Sequence, residues 1–181
     1  MNSMNQVRIE KITLNIGAGK EQVVLEKGVK LIKKITGIEP MRTVTTKRIP
    51  AWGLRPGLPI GCKLTLRKQK AKEILQKLIA AKENKLKEKQ FDDKGNLAFG
   101  IHEYIDIPEI EYDPEIGNMG LEVCVTLDKP GYRVKKRKIK KTKVSKKHQV
   151  SKEEAIKFIK EKFDVEVISW QLKIGKKFSN N

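Results

Sequence analysis

The sequence is poor in cysteine and lacks long apolar runs. Cys62 and Cys124 are the two cysteines, and they form no Cys-x-x-Cys pair, which disfavours a structural zinc site. No apolar run approaches the length of a membrane span, and the first residues lack the apolar segment of a signal peptide. We therefore expect a cytoplasmic protein that does not enter a membrane, with two reduced thiols that are buried or half-buried.

Acidic residues are scarce relative to basic ones. The chain has 40 Lys and Arg against 22 Asp and Glu, a formal net charge of +18. An excess of one sign repels itself in a compact fold, and a polyanionic partner would neutralise it. A lysine-rich, heat-adapted surface is the competing explanation, but there glutamate would rise with lysine. The composition therefore favours a nucleic acid partner.

Apolar and polar residues alternate in several short segments, as is typical of strands with one buried face. The sequence predicts strands at residues 7–16, 41–48, 60–67, 97–105, 121–127 and 165–168. Helices are predicted at residues 21–36 and 70–87, and a third follows the capping box of Ser151 and Glu154. We expect one α+β domain over residues 1–168, with a mostly antiparallel sheet and helices on one face. Residues 169–181 are expected to be a mobile tail.

The second face of this sheet is expected to be free for RNA. Its side chains are short donors and acceptors placed among cations, which suit contact with an RNA backbone. The residues predicted for this face are Lys11, Thr13, Asn15, Thr43, Thr45, Lys47, Lys63, Thr65 and Arg67.

Residues 133–147 contain ten Lys or Arg and no acid. Such a block repels itself and rarely folds alone, so we predict an rRNA-binding arm that orders on its partner. A solvated surface or a localisation signal is the alternative interpretation. The residues predicted to bind rRNA here are Tyr132, Arg133, Lys135, Lys136, Arg137, Lys138, Lys140, Lys141, Lys143, Lys146 and Lys147.

Residues 49–58 form a loop rich in Pro and Gly that also carries large apolar side chains. Exposing Trp52 and Leu54 is unfavourable unless they fold onto the core or meet a partner. A tryptophan in such a loop can stack on a base. From the residues alone, a core plug and a contact loop remain equally open.

No set of residues assembles into a catalytic site. The turn at residues 17–20 matches a P-loop only in part, because the first glycine is missing and Glu21 follows Lys20, although its amides could still hold a phosphate. His102 and His148 lack a paired nucleophile, and the acids lack metal-binding spacing. We therefore predict that the protein is not an enzyme and needs no cofactor or metal.

Five blocks of the sequence, taken in order, resemble one known family. They are NIGAG at 15–19, RPGLPIGCKLTLR at 55–67, FDDKGN at 91–96, YDP at 112–114 and KPGYRV at 129–134. Over about residues 7–168 the chain resembles the large-subunit ribosomal proteins numbered five. The last block and the helix after Ser151 resemble the archaeal and eukaryotic branch, and the N-terminus favours an archaeal member.

The resemblance implies a structural protein that binds 5S rRNA and large-subunit rRNA in the central protuberance and contacts the elbow of P-site tRNA. The implied protein partners are a neighbouring 5S-binding ribosomal protein and a small-subunit head protein, reached through an inter-subunit bridge. A free-standing RNA chaperone or tRNA-binding module is the alternative, and an RNA-modifying enzyme comes last.

The resemblance also assigns roles to particular residues. Asn15 and Thr65 match polar positions that bind 5S rRNA, and a third position falls near Ile38 and Glu39, where Ile38 is apolar. The acidic segment at residues 108–120 matches the bridge region. The loop implied to contact tRNA consists of Trp52, Gly53, Leu54, Arg55, Pro56 and Gly57.

Overall fold

The computed structural model describes residues 2–168. Its strands are β1 (Arg8–Gly17), β2 (Met41–Val44), β3 (Pro59–Leu66), β4 (Lys85–Lys87), β5 (Leu97–Ile101), β6 (Leu121–Asp128) and β7 (Glu166–Ile168). Its α-helices are α1 (Gln22–Thr36), α2 (Lys68–Ala80), α3 (Arg133–Lys136) and α4 (Lys152–Phe163). Five strands form one sheet in the order β2-β3-β1-β6-β5 with antiparallel pairing throughout, as the sequence predicted.

The central strand β1 determines which face of the sheet is buried. Ile12, Leu14 and Ile16 are buried, and the residues between them are more exposed, so one face of the strand enters the core. α1 and α2 pack against this strand and its neighbour β3. The expected α+β fold with helices on one sheet face is therefore confirmed.

Helix α1 buries one apolar stripe against the sheet. Leu25, Leu31 and Ile32 are buried, and Gly28 faces the sheet so closely that an added Cβ would lie 3.2 Å from Cys62 Sγ. Gly37 ends the helix in the left-handed conformation, and its amide donates to the Lys33 carbonyl at 2.8 Å. The helix predicted at residues 21–36 is confirmed.

The second helix is shorter than the sequence predicted. α2 ends at Ala80, and Glu83 and Asn84 then adopt positive φ in a turn that leads into β4. Leu86 is buried, and it lies seven residues after Ile79, a spacing that mimics the helical repeat. β4 pairs in parallel with β7, so the predicted closing strand exists but belongs to a separate two-stranded sheet.

Two predicted strands also end early. β2 stops at Val44 instead of residue 48, and β5 stops at Ile101, before a 3-10 turn at Tyr104–Asp106 that buries Tyr104. In each case the chain leaves the sheet because a residue shortly after the strand is buried outside it, namely Thr45 after β2 and Tyr104 after β5. The predicted tail at residues 169–181 lies outside the described residues.

We predict that Gly61→Ala destabilises the fold by about 1–3 kcal/mol, because an added Cβ would lie 2.6 Å from the Ile16 carbonyl oxygen. Gly100→Ala is the matched control, since a Cβ there meets nothing within 4 Å. Urea denaturation of both variants measures the difference. Equal losses of unfolding free energy would contradict the close approach at Gly61.

Candidate nucleic-acid interface

The sheet face opposite the helices is uncovered, and we call it the open face. Thr13 lies opposite Thr65 on β3 and Cys124 on β6, while Asn15 lies opposite Lys63 and Glu122. Directly paired residues of antiparallel strands point to the same side, so these side chains form two adjacent rows. The same register places Lys11, Met41, Thr43, Gly61, Ala98, Gly100 and Thr126 on the open face.

Six of the nine predicted sheet residues lie on this open face, and three do not. Thr45 is buried, and its hydroxyl donates to the Lys47 carbonyl at 3.0 Å, so both residues belong to a turn after β2. Arg67 follows β3 as the N-cap residue of α2 and is exposed. The placement of these three residues on the sheet was wrong because the predicted strands ran too far. The six that lie on the face are Lys11, Thr13, Asn15, Thr43, Lys63 and Thr65.

The prediction from sequence overlooked the contribution of β6 and β5. The alternation of β6 predicted its buried side, and the intervening residues Glu122 and Cys124 are exposed on the open face. Cys124 is therefore not the buried or half-buried thiol that was expected. Cys62 is buried under α1, and burial raises the pKa of its thiol to about 11.

The loop at residues 49–58 buries one of its large apolar side chains and exposes the other. Leu54 is buried, with 8% of its surface exposed, whereas Trp52 is 68% exposed. A 3-10 turn at Pro50–Trp52 and a left-handed Gly53 reverse the chain, and Ile49 and Leu54 exchange backbone hydrogen bonds of 3.0 and 3.1 Å. Leu54 thus anchors a loop that presents Trp52 to solvent.

The basic segment at residues 133–147 is a loop tied together at its base. The Tyr132 hydroxyl accepts a hydrogen bond from the Val150 amide at 2.9 Å. His148 Nε2 donates to the Pro130 carbonyl at 2.8 Å, and the rings of His148 and Tyr132 have centroids 6.1 Å apart. Tyr132 therefore closes the loop, and α3 forms its first turn, so the segment is not wholly unstructured.

Lys136 forms ion pairs within the protein, so its charge is not part of the exposed positive surface of this loop. Its ammonium lies 2.6 Å from Glu10 and 3.1 Å from the buried Asp128, which also accepts from Arg8 at 2.7 Å. Burial acts to lower the pKa of Lys136, but its hydrogen bonds to the two carboxylates outweigh burial and raise it. Within residues 2–168 the other predicted cations of the loop have no acidic partner and are exposed.

An ion pair holds the segment that follows the basic loop. The buried Lys129 ammonium lies 2.8 Å from both carboxylate oxygens of Glu154, and Glu154 also completes the capping box predicted with Ser151. Burial acts to raise the pKa of Glu154, but the hydrogen bonds from Lys129 and the Ser151 amide lower it below its ordinary value. The start of α4 is thereby joined to the end of β6.

The acidic segment at residues 108–120 lies against the lysines of α1 and α2. Lys30 pairs with Glu115 at 2.6 Å, Lys34 lies 3.5 Å from Asp113, and Lys77 pairs with Glu109. The Asp113 amide also donates to the hydroxyl of buried Tyr104 at 2.8 Å. Part of this segment's negative charge is therefore neutralised inside the protein.

Two amides of the turn at residues 17–20 are used within the protein. The amides of Ala18 and Gly19 both donate to the Ile60 carbonyl, at 2.9 and 3.1 Å. The possibility that these two amides hold a phosphate is therefore wrong. Among residues 2–168 no group of His, Cys, Asp or Glu is placed to hold a metal ion, and no helix is long and apolar enough to cross a membrane.

Comparison with known proteins places the chain among the ribosomal proteins. Two family models match it in succession, one described as Ribosomal protein L5 over residues 2–55 and one describing the C-terminus of the same ribosomal family over residues 59–158. The chain therefore belongs to the ribosomal protein L5 family. This is a family of structural proteins and not of enzymes, in agreement with the prediction from sequence.

Curated archaeal proteins are similar over most of the chain. The large ribosomal subunit protein uL5 of Nanoarchaeum equitans is 49% identical over 166 residues, which cover 91% of this chain and 98% of that protein. The uL5 of Sulfolobus acidocaldarius is 46% identical, covering 92% and 94%, and that of Sulfurisphaera tokodaii is 44% identical, covering 93% and 96%. The expected cytoplasmic location agrees with relatives that are named as large-subunit proteins.

We predict that Tyr132→Phe speeds hydrogen exchange of the Val150 amide by roughly 10-fold, because the variant lacks one hydrogen bond worth about 0.5–1.5 kcal/mol. Tyr112→Phe is the control, since Tyr112 is exposed and belongs to the acidic segment at residues 108–120. Exchange is followed by NMR or mass spectrometry. An unchanged Val150 rate would show that Tyr132 does not close the loop.

Proposed function

We propose that the chain is a structural protein of the large ribosomal subunit that binds 5S rRNA through its open face. One observation carries this proposal. Thr13, Asn15, Lys63 and Thr65 lie uncovered on one face of the sheet, whereas helices cover the other face. Hydroxyl and amide groups set among cations match the phosphate and 2′-hydroxyl groups of folded RNA. Asn15 and Thr65 are the family positions expected to bind 5S rRNA.

The proposed binding mode joins this open face to the basic loop. The face has few long side chains, so it supplies shape and hydrogen bonding at short range. The loop supplies long-range attraction, because its exposed lysines release counterions from phosphates when they bind. We place large-subunit rRNA of the central protuberance against this loop, beside the 5S rRNA.

We assign Trp52 and its loop to the elbow of P-site tRNA. The loop already buries Leu54, so the exposed Trp52 is free to stack on a base or ribose, worth about 1–3 kcal/mol. Arg55 is exposed in the same loop and adds a positive charge. Trp52→Ala is accordingly expected to loosen P-site tRNA on assembled ribosomes.

The remaining proposed partners are proteins. The acidic segment at residues 108–120 is assigned to the bridge with the small-subunit head, and Glu111, which is exposed, is available for a basic partner. Since several neighbouring carboxylates are already paired with lysines, the segment is held in place before any partner arrives. A neighbouring 5S-binding ribosomal protein is the second expected contact.

The proposal predicts that Asn15→Ala combined with Thr65→Ala weakens binding of 5S rRNA by roughly 10- to 100-fold, because the open face then lacks two hydrogen-bonding groups. Filter binding with an in vitro transcribed archaeal 5S rRNA measures the affinity. Trp52→Ala is the control and should bind 5S rRNA normally. Circular dichroism checks that all variants are folded, and an unchanged affinity of the double variant would refute the assignment.

We predict that replacing five loop lysines with glutamine lowers the steepness of the salt dependence of binding to large-subunit rRNA, the partner placed against this loop. Each phosphate that the variant no longer neutralises should reduce the slope by roughly 0.7 to 0.9. The substituted lysines are Lys140, Lys141, Lys143, Lys146 and Lys147. The charge-matched control replaces exposed lysines elsewhere, namely Lys33, Lys70, Lys87, Lys94 and Lys160. Equal slopes for the two sets would mean that the loop has no special part in phosphate binding.

A further inference from the structure

The open face carries the carboxylate of Glu122 near the start of β6, and a phosphate-binding surface would be expected to avoid a carboxylate. Glu122 on β6 lies directly between Asn15 on β1 and Gly100 on β5, and it is exposed. A carboxylate here repels the RNA backbone and lowers its affinity. Its position therefore calls for a partner that donates hydrogen bonds. The ribose 2′-hydroxyl and the nucleobases of RNA both do so without negative charge, but only a base can offer two adjacent donors to the two carboxylate oxygens.

The hydrogen bond between Asn15 and Glu122 determines which of their donors and acceptors remain available to bind RNA. Asn15 Nδ2 donates to Glu122 Oε2 at 3.1 Å. This hydrogen bond uses one of the two amide hydrogens and one of about four lone-pair positions of the carboxylate. The pair therefore still offers one donor beside two acceptor oxygens.

This donor and these acceptors match the Watson–Crick edge of guanine. Guanine presents an acceptor, O6, next to two donors, N1–H and the N2 amine. The Asn15 amide can donate to O6 while the two oxygens of Glu122 accept from N1–H and N2–H. Adenine, cytosine and uracil lack two adjacent donors on this edge, so none of them satisfies both carboxylate oxygens.

The structure leaves room for a base beside this pair. A Cβ added to Gly100 would meet nothing within 4 Å, so the surface next to Glu122 is open on the β5 side. Asn15, Gly100 and Glu122 line an open cleft of about 500 Å³ that extends to His102, Met119 and, on α1, Val24. Small-molecule sites occupy roughly 300–1,000 Å³, so one nucleobase fits this space.

We propose that Asn15 and Glu122 form a guanine-binding site on the open face, which takes an unpaired guanine of the bound RNA. This inference rests on the proposed function, since it names the base that the 5S-binding face recognises. The site adds base specificity to a surface whose other contacts are to the RNA backbone.

The substitution Glu122→Gln tests whether Glu122 contacts a base or only adds a negative charge to the face. The two cases predict opposite changes in RNA affinity. A bystander carboxylate only repels RNA, so its removal should tighten binding to every RNA. A guanine site would lack one acceptor, so binding to 5S rRNA should weaken by about 10-fold or more, while binding to poly(U) is unchanged or tighter. Glu73→Gln on α2 is the matched control, with the same charge change on the helix side.

Inosine interference identifies the base itself. 5S rRNA transcripts that carry a few inosines in place of guanosines lack the N2 amine at those positions. We expect the RNA bound by the unsubstituted protein to be depleted of inosine at one or a few positions, and this depletion to disappear with Glu122→Gln. The same pattern for both proteins would overturn the guanine site.

The two hypotheses fail in different ways. If the unsubstituted protein binds 5S rRNA no better than poly(U), the proposed function is wrong and the guanine site falls with it. If it prefers 5S rRNA but Glu122→Gln binds as well or better, the guanine site alone is wrong. Thermal denaturation of each variant confirms that an altered affinity does not come from unfolding.

Discussion

The one-sided burial of strand β1 dictates how the elements around it are arranged. Ile12, Leu14 and Ile16 must leave water, and α1 and α2 cover them from one side. Because side chains alternate along a strand, the same requirement places Thr13 and Asn15 on the opposite side. A helix over that second side would bury their polar groups and the neighbouring lysine charges without partners, which is unfavourable. The open face is thus a direct consequence of how the core is formed.

Electrostatics divide the protein into a part that is neutralised internally and a part that is left positive. Asp128, Glu10 and Glu154 pair with cations at the base of the basic loop, and the acidic segment pairs with lysines of the helices. These paired acids therefore fix elements in place. The outer lysines of residues 138–147 keep their charge exposed, and this local excess persists even though the chain contains 22 acids. Glu122 departs from this pattern, since its partner is the neutral Asn15.

Much of the fold could be predicted because its signals are local. The alternation of β1, the stripe and C-cap of α1 and the capping box at Ser151 all lie within a few residues of sequence. The errors arose where distant contacts override local pattern. Leu86 continues a helical repeat, but it pairs with Val167 of β7, which lies near the far end of the described chain. Thr45 continues a strand pattern but turns inward to bond Lys47.

The fold class, the central row of polar residues and the family could all be read from the linear chain, because periodicity, charge and ordered motifs are properties of the sequence. Which residues stand beside one another became known only from the folded molecule. Strand order and register put Glu122 next to Asn15, the turn at Gly53 separated buried Leu54 from exposed Trp52, and the hydrogen bond at Tyr132 closed the basic loop. Each of these depends on chain reversal and pairing across the fold, and such pairing is set by the packing of the whole core.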